Sequence, residues 1–195
     1  GQMPLFFYGQ AYMGSLDAYL IAAIFKLFGP SVWGVRLIQS LLYLGVLITT
    51  ALLTYMGYRS WWVAVIAVFL LAIPTVNTTL YTTVSLGGYG EALLIGNFIF
   101  ITTLSIQKDW HRQRFPGEYF KWAVFGFLSG IGLWSFGISL VFSLAALMYL
   151  TVYWIMALSS LLRIGERELG SWQPRVRKIA LAGLIFLLFA FLGSF

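Results

Sequence analysis

The sequence contains no cysteine, a single histidine and few charged residues. Without cysteine the chain forms no disulfide and has no thiolate to act as a nucleophile or metal ligand. One histidine excludes a metal site built from several histidines of this chain. Charged residues make up only 9% of the sequence, against about 25% in soluble domains. These absences exclude enzymes that use a cysteine nucleophile or a metal held by several histidines. The low charge also argues against an ordinary water-soluble protein.

Apolar residues make up 61% of the 195 residues, which indicates that lipid is the main solvent. We predict an all-α fold: one polytopic transmembrane bundle over residues 1–195, with about six spans. Residues 1–36 are predicted to form an outer loop, and residues 37–195 to form the transmembrane helices. The last residues stop within an apolar run, so we expect a fragment truncated at both ends. In a soluble protein the net charge of +6 would suggest a nucleic-acid partner. In a membrane protein the location of the bases matters more than their sum, so we predict no nucleic-acid partner.

Breaks between the uncharged runs define the predicted spans. These spans are residues 37–58, 61–73, 92–106, two helices within 122–162 that are separated near 130–137, and residues 179 onward. Residues 77–90 are rich in threonine and glycine, and we predict a loop there. Residues 107–121 and 163–178 are predicted to be charged loops.

The predicted outer loop contains a short amphipathic helix. Only eight uncharged residues separate Asp17 from Lys26, too few to cross a hydrocarbon core that needs about 20. Apolar residues recur there at helical spacing, namely Leu16, Leu20, Ala23, Ile24 and Leu27. We therefore predict a helix from Ser15 to Phe28 that lies on the membrane surface, with Asp17 and Lys26 away from its apolar stripe. Gly29-Pro30 should end it, and Ser31 should cap the next helix.

The distribution of Lys and Arg predicts the orientation. Ten of these bases fall in the segments assigned to the inner side and two, Lys26 and Arg36, in the outer segments. An excess of bases is typical of the cytoplasmic side. We therefore expect a multi-pass protein of the plasma or inner membrane, with residues 1–36 and 77–91 on the extracytoplasmic side.

Asp17 and Glu91 are the two acidic residues assigned to the outer side. A carboxylate at the edge of a bilayer can act as a general base, because partial burial brings its pKa toward the working pH. It can equally cap a helix, pair with Lys26 or Arg36, or lie in water. The glycines at residues 87, 88 and 90 predict a tight turn that brings Glu91 close to another part of the chain.

The remaining candidate site residues are two bases and a group of aromatic and amide side chains. Lys26 and Arg36 could hold a phosphate, although Lys26 is expected mainly to extend toward the headgroups. Aromatic rings beside a glutamine suit a sugar, whose apolar face stacks on rings. On this basis the candidate substrate contacts are Tyr8, Gln10, Tyr12 and Tyr89.

Two short motifs in this region are similar to a known family. Leu27-Phe28-Gly29 and Trp33-Gly34-Val35-Arg36-Leu37 occur in the order found in membrane glycosyltransferases of the protein-mannosyltransferase type. These enzymes belong to the glycosyltransferase C superfamily, and the resemblance covers residues 4–106. Met13-Gly14-Ser15-Leu16 stands where the family has a His-Pro-Pro-Leu-like turn.

The resemblance implies transfer of a sugar, with inversion, from a polyprenyl-phosphate donor to a hydroxyl of a protein, lipid or glycan at the outer membrane face. Arg36 would then lie near the donor phosphate, and Asp17 and Glu91 would orient or activate the acceptor. In the family the main acidic motif lies before the segment that corresponds to this chain. The sequence identifies no cofactor, and it leaves metal dependence open. The alternative is a transporter or flippase of a lipid-linked substrate, which should carry charged residues inside its spans.

Overall fold

The computed structural model describes residues 5–7, 10–73, 75–83, 87–112, 118–162 and 172–194. This part of the chain is mostly helical. Its helices are α1 Leu16–Phe28, α2 Val32–Tyr58, α3 Trp61–Ala72, α4 Val76–Thr83, α5 Tyr89–Arg112, α6 Glu118–Ser135, α7 Leu140–Leu162 and α8 Trp172–Gly193. A 3-10 helix, Gly137–Ser139, joins α6 to α7. Two strands, β1 Phe6–Phe7 and β2 Gln10–Gly14, precede α1.

Three of the described segments are long and apolar enough to cross a membrane. They are Val32–Tyr58, Tyr89–Asp109 and Gly137–Met156. Two shorter apolar helices are Trp61–Ala72 and Lys178–Gly193. Helix α6 coincides with another predicted span, but it begins with Glu118 and Lys121 and is interrupted by glycine and serine. The described part of the chain therefore contains three candidate membrane spans, against the six that the sequence predicts.

The predicted limits of the first helices agree with the structure. Helix α1 ends at Phe28, where Gly29 follows with a φ of 80°, a left-handed value that glycine adopts without strain. The Ser31 side chain accepts a hydrogen bond from the Gly34 N–H at 3.1 Å and caps α2. Helix α2 ends at Tyr58, and Arg59 follows with a left-handed φ of 56°. It begins at Val32, however, so the last five residues of the predicted outer loop already belong to this helix.

The prediction of a loop over residues 77–90 was wrong for its first half, which forms α4. Threonine side chains there return hydrogen bonds to the helix backbone: Thr79 donates to the Thr75 carbonyl at 3.1 Å and Thr82 to the Thr78 carbonyl at 2.6 Å. These bonds satisfy the hydroxyl groups locally, so a threonine-rich segment remains helical. The predicted loop over 107–121 is likewise shorter, because α5 continues to Arg112 and α6 begins at Glu118.

An antiparallel hairpin of β1 and β2 leads into α1 and was not predicted. Phe6 pairs with Gly14 and Phe7 with Gln10. The hairpin is attached to a segment distant in sequence, since Met13 forms an isolated β-bridge with Phe136. The indole N–H of Trp134 also donates to the Leu5 carbonyl at 3.1 Å. The N-terminal segment is therefore docked on the corner between α6 and α7.

The main core surrounds α5 and the paired helices α6 and α8. Ile99, Ile106, Phe125 and Leu150 are fully buried there. Helices α6 and α8 approach so closely that an added Cβ at Gly126 would lie 2.3 Å from the Phe186 carbonyl oxygen, and one at Gly130 would lie 2.1 Å from that of Ala190. Glycines four residues apart permit this backbone contact between two helices. The rigid base formed in this way supports the N-terminal ends of α1 and α5.

Candidate functional site

The structure brings together the two acidic residues assigned to the outer side. Asp17 lies in the first turn of α1 and Glu91 in the first turn of α5. Their side chains are only 2% and 3% exposed, and their carboxyl groups lie close enough to interact with each other. We call these two residues the carboxyl pair.

The carboxyl pair corrects one detail of the predicted surface helix. The sequence pattern turned Asp17 away from the apolar stripe of α1, on a helix that lies on the membrane surface. In the structure Asp17 is the one residue of α1 that is fully buried. The reason is tertiary, because its carboxyl group meets partners on α2 and α5 that no local pattern reveals. The N-terminal end of α1 is therefore held by protein contacts.

Gln39 on α2 is the third member of the site. Its side-chain N–H donates to Asp17 Oδ1 at 2.8 Å, and the side chain is 4% exposed. Its amide oxygen faces α5, at 3.7 Å from the position that a Cβ on Gly90 would occupy. Gln39 thus lies between the two acidic helix ends and supplies a neutral donor to a carboxyl group. Sequence reasoning missed it because it carries no charge, although an amide in an apolar run is itself a signal.

A glycine turn places Glu91 at the start of α5. Gly87 and Gly88 have φ values of 81° and 76°, which favour glycine. A Cβ on Gly88 would lie 2.9 Å from the Cβ of Phe136, so this turn also packs tightly on the α6–α7 corner. Met13, Ala92 and Phe136 form a small buried cluster beside it. The predicted role of these glycines, a tight turn that brings Glu91 close to another segment, is confirmed.

Two oxygen atoms in this region are buried and lack a hydrogen-bond partner among the described residues. One is Oε1 of Glu91 and the other is the hydroxyl of Ser15. The Glu91 carboxyl group lies at the N-terminal, positive end of the α5 dipole. Buried polar atoms are nearly always paired, so an orphaned carboxyl oxygen is unusual. Glu91 Oε1 therefore has no hydrogen-bond donor among the described residues.

The two outer bases lie apart from the buried pair. Lys26, in the last turn of α1, and Arg36, in the second turn of α2, are both exposed. Neither forms a salt bridge with another residue in the described part of the chain. Arg36 precedes Gln39 by three residues, about 4.5 Å along the helix axis. Lys26 follows Asp17 by nine residues, about 13 Å along α1.

Of the aromatic and amide candidates, the structure describes Tyr89 most fully. Its ring packs edge to face on Phe136, with ring centroids 4.8 Å apart. Tyr89 also lines a mostly apolar recess of about 220 Å³ between α4, α5 and α7, together with Thr78, Thr82, Ala92, Leu93, Ile138 and Phe142. Tyr8 lies outside the described residues. Gln10 and Tyr12 belong to β2, but their side chains are not among those described.

A second polar contact between α2 and α5 was also missed. The Asn97 side-chain amide donates to the hydroxyl oxygens of Thr49 at 2.9 Å and Thr50 at 3.0 Å. It also reaches the Val46 carbonyl at 3.3 Å. These bonds hold the two helices in register below the carboxyl pair. They therefore help to keep Gln39 beside Asp17 and Glu91.

Among the described residues, no three His, Cys, Asp or Glu side chains group as a metal site would require. Comparison with known proteins gives no relative: no protein-family model, no curated protein and no solved structure matches the chain. A functional interpretation therefore depends on the chemistry of the site and on the two short motifs.

Proposed function

We propose that this protein is a membrane glycosyltransferase of the protein-mannosyltransferase type. It transfers a sugar from a polyprenyl-phosphate donor to a hydroxyl of a protein, lipid or glycan at the extracytoplasmic face of a plasma or inner membrane. We also propose that the protein crosses the membrane six times and that α1 borders the membrane surface. The observation that carries the proposal is the contact between the buried Asp17 and Glu91, in which Glu91 Oε1 has no donor among the described residues.

The carboxyl pair suits a general base. A buried carboxylate beside a second carboxyl group can accept the proton of a bound hydroxyl. In the proposed reaction the acceptor hydroxyl gives its proton to the pair while its oxygen bonds to the anomeric carbon. The bond from that carbon to the phosphate oxygen breaks on the opposite face, which inverts the configuration. The phosphate departs with the bonding electrons.

Arg36 is proposed to stabilise the charge that develops on the leaving phosphate. A guanidinium group offers two parallel donors to a phosphate and stays charged at any physiological pH. Arg36 is exposed and one turn from Gln39, so it can reach a donor beside the site. Tyr8, Gln10, Tyr12 and Tyr89 are proposed to contact the sugar or the acceptor. Lys26, nine residues beyond Asp17 along α1, has a secondary role in this proposal.

Access to the pair requires α1 to move. Asp17 and Glu91 are closed from solvent, whereas a general base must touch the proton that it accepts. Gly29 lies at the far end of α1 and can absorb a change in backbone angles, so we propose that α1 swings about this residue. Substrate binding would then expose Glu91 Oε1.

The test is the loss of Arg36 in the membrane-embedded protein. We expect Arg36→Gln to lower the rate of sugar transfer from a polyprenyl-phosphate donor by roughly 100-fold, as removal of one charge-stabilising donor does elsewhere. Arg59→Gln is the matched control, because Arg59 is an exposed base at the opposite end of the same helix. Transfer should be measured with radiolabelled donor, after both variants are shown to insert. Equal activity of the two variants would reject the role of Arg36.

One observation favours a second candidate, a proton-coupled carrier of a lipid-linked substrate. Glu91 falls within the candidate span Tyr89–Asp109, where an ionisable group is costly and usually serves an ion or substrate pathway. Proteoliposomes distinguish the two functions. A carrier would move a fluorescent polyprenyl phosphate across the bilayer in response to a pH gradient, without an acceptor. A transferase would form the glycosylated product with no gradient.

A further inference from the structure

The turn between α1 and α2 exposes four large apolar side chains within seven residues. Leu27, Phe28, Val32 and Trp33 are each at least 69% exposed. They lie on both sides of Gly29-Pro30, where the chain reverses between the two helices. We call these four residues the apolar corner. Contiguous exposed apolar groups of this size mark a surface that meets a partner or a membrane.

Helix packing holds the apolar corner on the protein. An added Cβ on Gly34 would lie 2.9 Å from Ile24 and 3.4 Å from Phe25, so α1 packs directly against the start of α2. Asp17 anchors the opposite end of α1 at the carboxyl pair. The corner therefore projects from two helices that are packed on each other.

Exposed bases flank the corner. Lys26 immediately precedes Leu27, and Arg36 lies three residues after Trp33. Apolar and aromatic side chains next to bases are typical of segments in the headgroup layer, where the rings face the acyl boundary and the bases meet phosphates. This charge favours anionic lipids over neutral ones.

The length of α2 gives the depth of the corner. Trp33 and Tyr58 are 25 residues apart, which corresponds to about 37 Å of helix. A bilayer is about 30 Å thick in its hydrocarbon core and 40–45 Å with its interfaces. Both ends of α2 can therefore reach headgroup layers at once, with Leu41, Leu44, Ile48 and Leu52 exposed to lipid between them.

We propose that the apolar corner is inserted in the headgroup layer of the membrane, with Lys26 bound to the phosphates of anionic lipids. The inference differs from the predicted surface helix, because only the C-terminal end of α1 meets lipid while its N-terminal end is buried in protein. It does not depend on the proposed transferase activity. It does place Arg36 near the depth of phosphate groups, where the phosphate of a lipid-linked donor also lies.

Depth can be measured with single cysteines, since the chain has none of its own. A fluorophore is attached to Phe28→Cys or to Leu44→Cys, both exposed positions, in vesicles that contain lipids with a nitroxide near the headgroup or at the chain end. We expect the headgroup nitroxide to quench position 28 more strongly and the chain-end nitroxide to quench position 44 more strongly. Position 28 quenched by neither lipid, or mainly by the chain-end nitroxide, would overturn the proposal.

Lipid selectivity tests the role of Lys26. Headgroup-labelled phosphatidylglycerol and phosphatidylcholine are compared as quenchers of position 28, each present as a minor component in phosphatidylcholine vesicles. We expect about a fivefold preference for the anionic lipid, the effect of one base near a surface, and its loss in Lys26→Gln. Equal quenching by both lipids with Lys26 in place, or an unchanged preference in Lys26→Gln, would contradict the assignment. Sugar transfer is not the readout, so a failed transferase proposal would leave this result intact.

Discussion

Helix α5 carries a carboxyl group near each end, and the two groups have different partners. At the last turns Asp109 forms a salt bridge with Lys121, and their side chains are 18% and 31% exposed. The same Lys121 also donates to the Ser105 carbonyl at 3.4 Å. At the first turn Glu91 is buried, meets a second carboxyl group and receives no base within the described residues.

The comparison separates a structural carboxylate from a candidate reactive one. An acid paired with a base has its charge neutralised and its oxygens occupied, so it has little capacity to react. Two buried acids in contact, with one oxygen free, form an arrangement that costs stability and that proteins keep mainly for function. The two ends of one helix thus provide an internal control, since they share the helix but differ in partners.

The largest effect on the rate of sugar transfer should come from neutralising the buried Glu91. We expect Glu91→Gln to reduce sugar transfer at least about 100-fold, the lower contribution of a general base. Asp109→Asn should stay within about twofold of the unaltered protein. Both rates are measured with saturating polyprenyl-phosphate donor, at equal amounts of inserted protein. If the two variants lose activity equally, the distinction between the ends is wrong.

The stability of the buried end should depend on Gln39. In Gln39→Leu the Asp17 carboxyl group loses its donor while it stays buried, which should lower the free energy of unfolding by about 1–3 kcal/mol. Gln107→Leu is the control, because Gln107 accepts an exposed hydrogen bond from Tyr149, at 2.7 Å. Denaturant unfolding in detergent micelles compares the two. A larger loss in the Gln107 variant would mean that the Gln39 bond contributes little.

We expect the smallest effect on stability from loss of the salt bridge between Asp109 and Lys121. Lys121→Ala removes a partly exposed ion pair, and such pairs contribute about 0–1 kcal/mol. The loss should diminish as salt is added, because solvent ions screen exposed charges. Thermal unfolding at low and high salt checks both statements. A loss of several kcal/mol that is independent of salt would show that this pair is as buried as the other end.

The sequence predicted the local features of the fold and left out the distant contacts. Gly29, Ser31 and Arg59 marked helix limits correctly because caps and breaks depend on neighbouring residues. Asp17 and Glu91 were both selected as candidates for their chemistry. Their contact could not be derived, because 74 positions separate them and only the packing of α1, α2 and α5 joins them. The hairpin was also missed, and its contacts with residues 134 and 136 are distant in sequence. Helix α4 was missed for a different reason, because its threonine hydroxyls bond to carbonyls four residues back and keep a threonine-rich segment helical.

The tie between the hairpin and the α6–α7 corner has a consequence for synthesis. Leu5 and Trp134 are hydrogen-bonded although 129 residues apart. At roughly 5–20 residues per second, a ribosome needs about 6–26 s to make the intervening chain. During that interval the hairpin lacks its partners on the α6–α7 corner, and unpaired backbone groups are excluded from the bilayer interior. The hairpin can therefore dock only after residues 134 and 136 have been made.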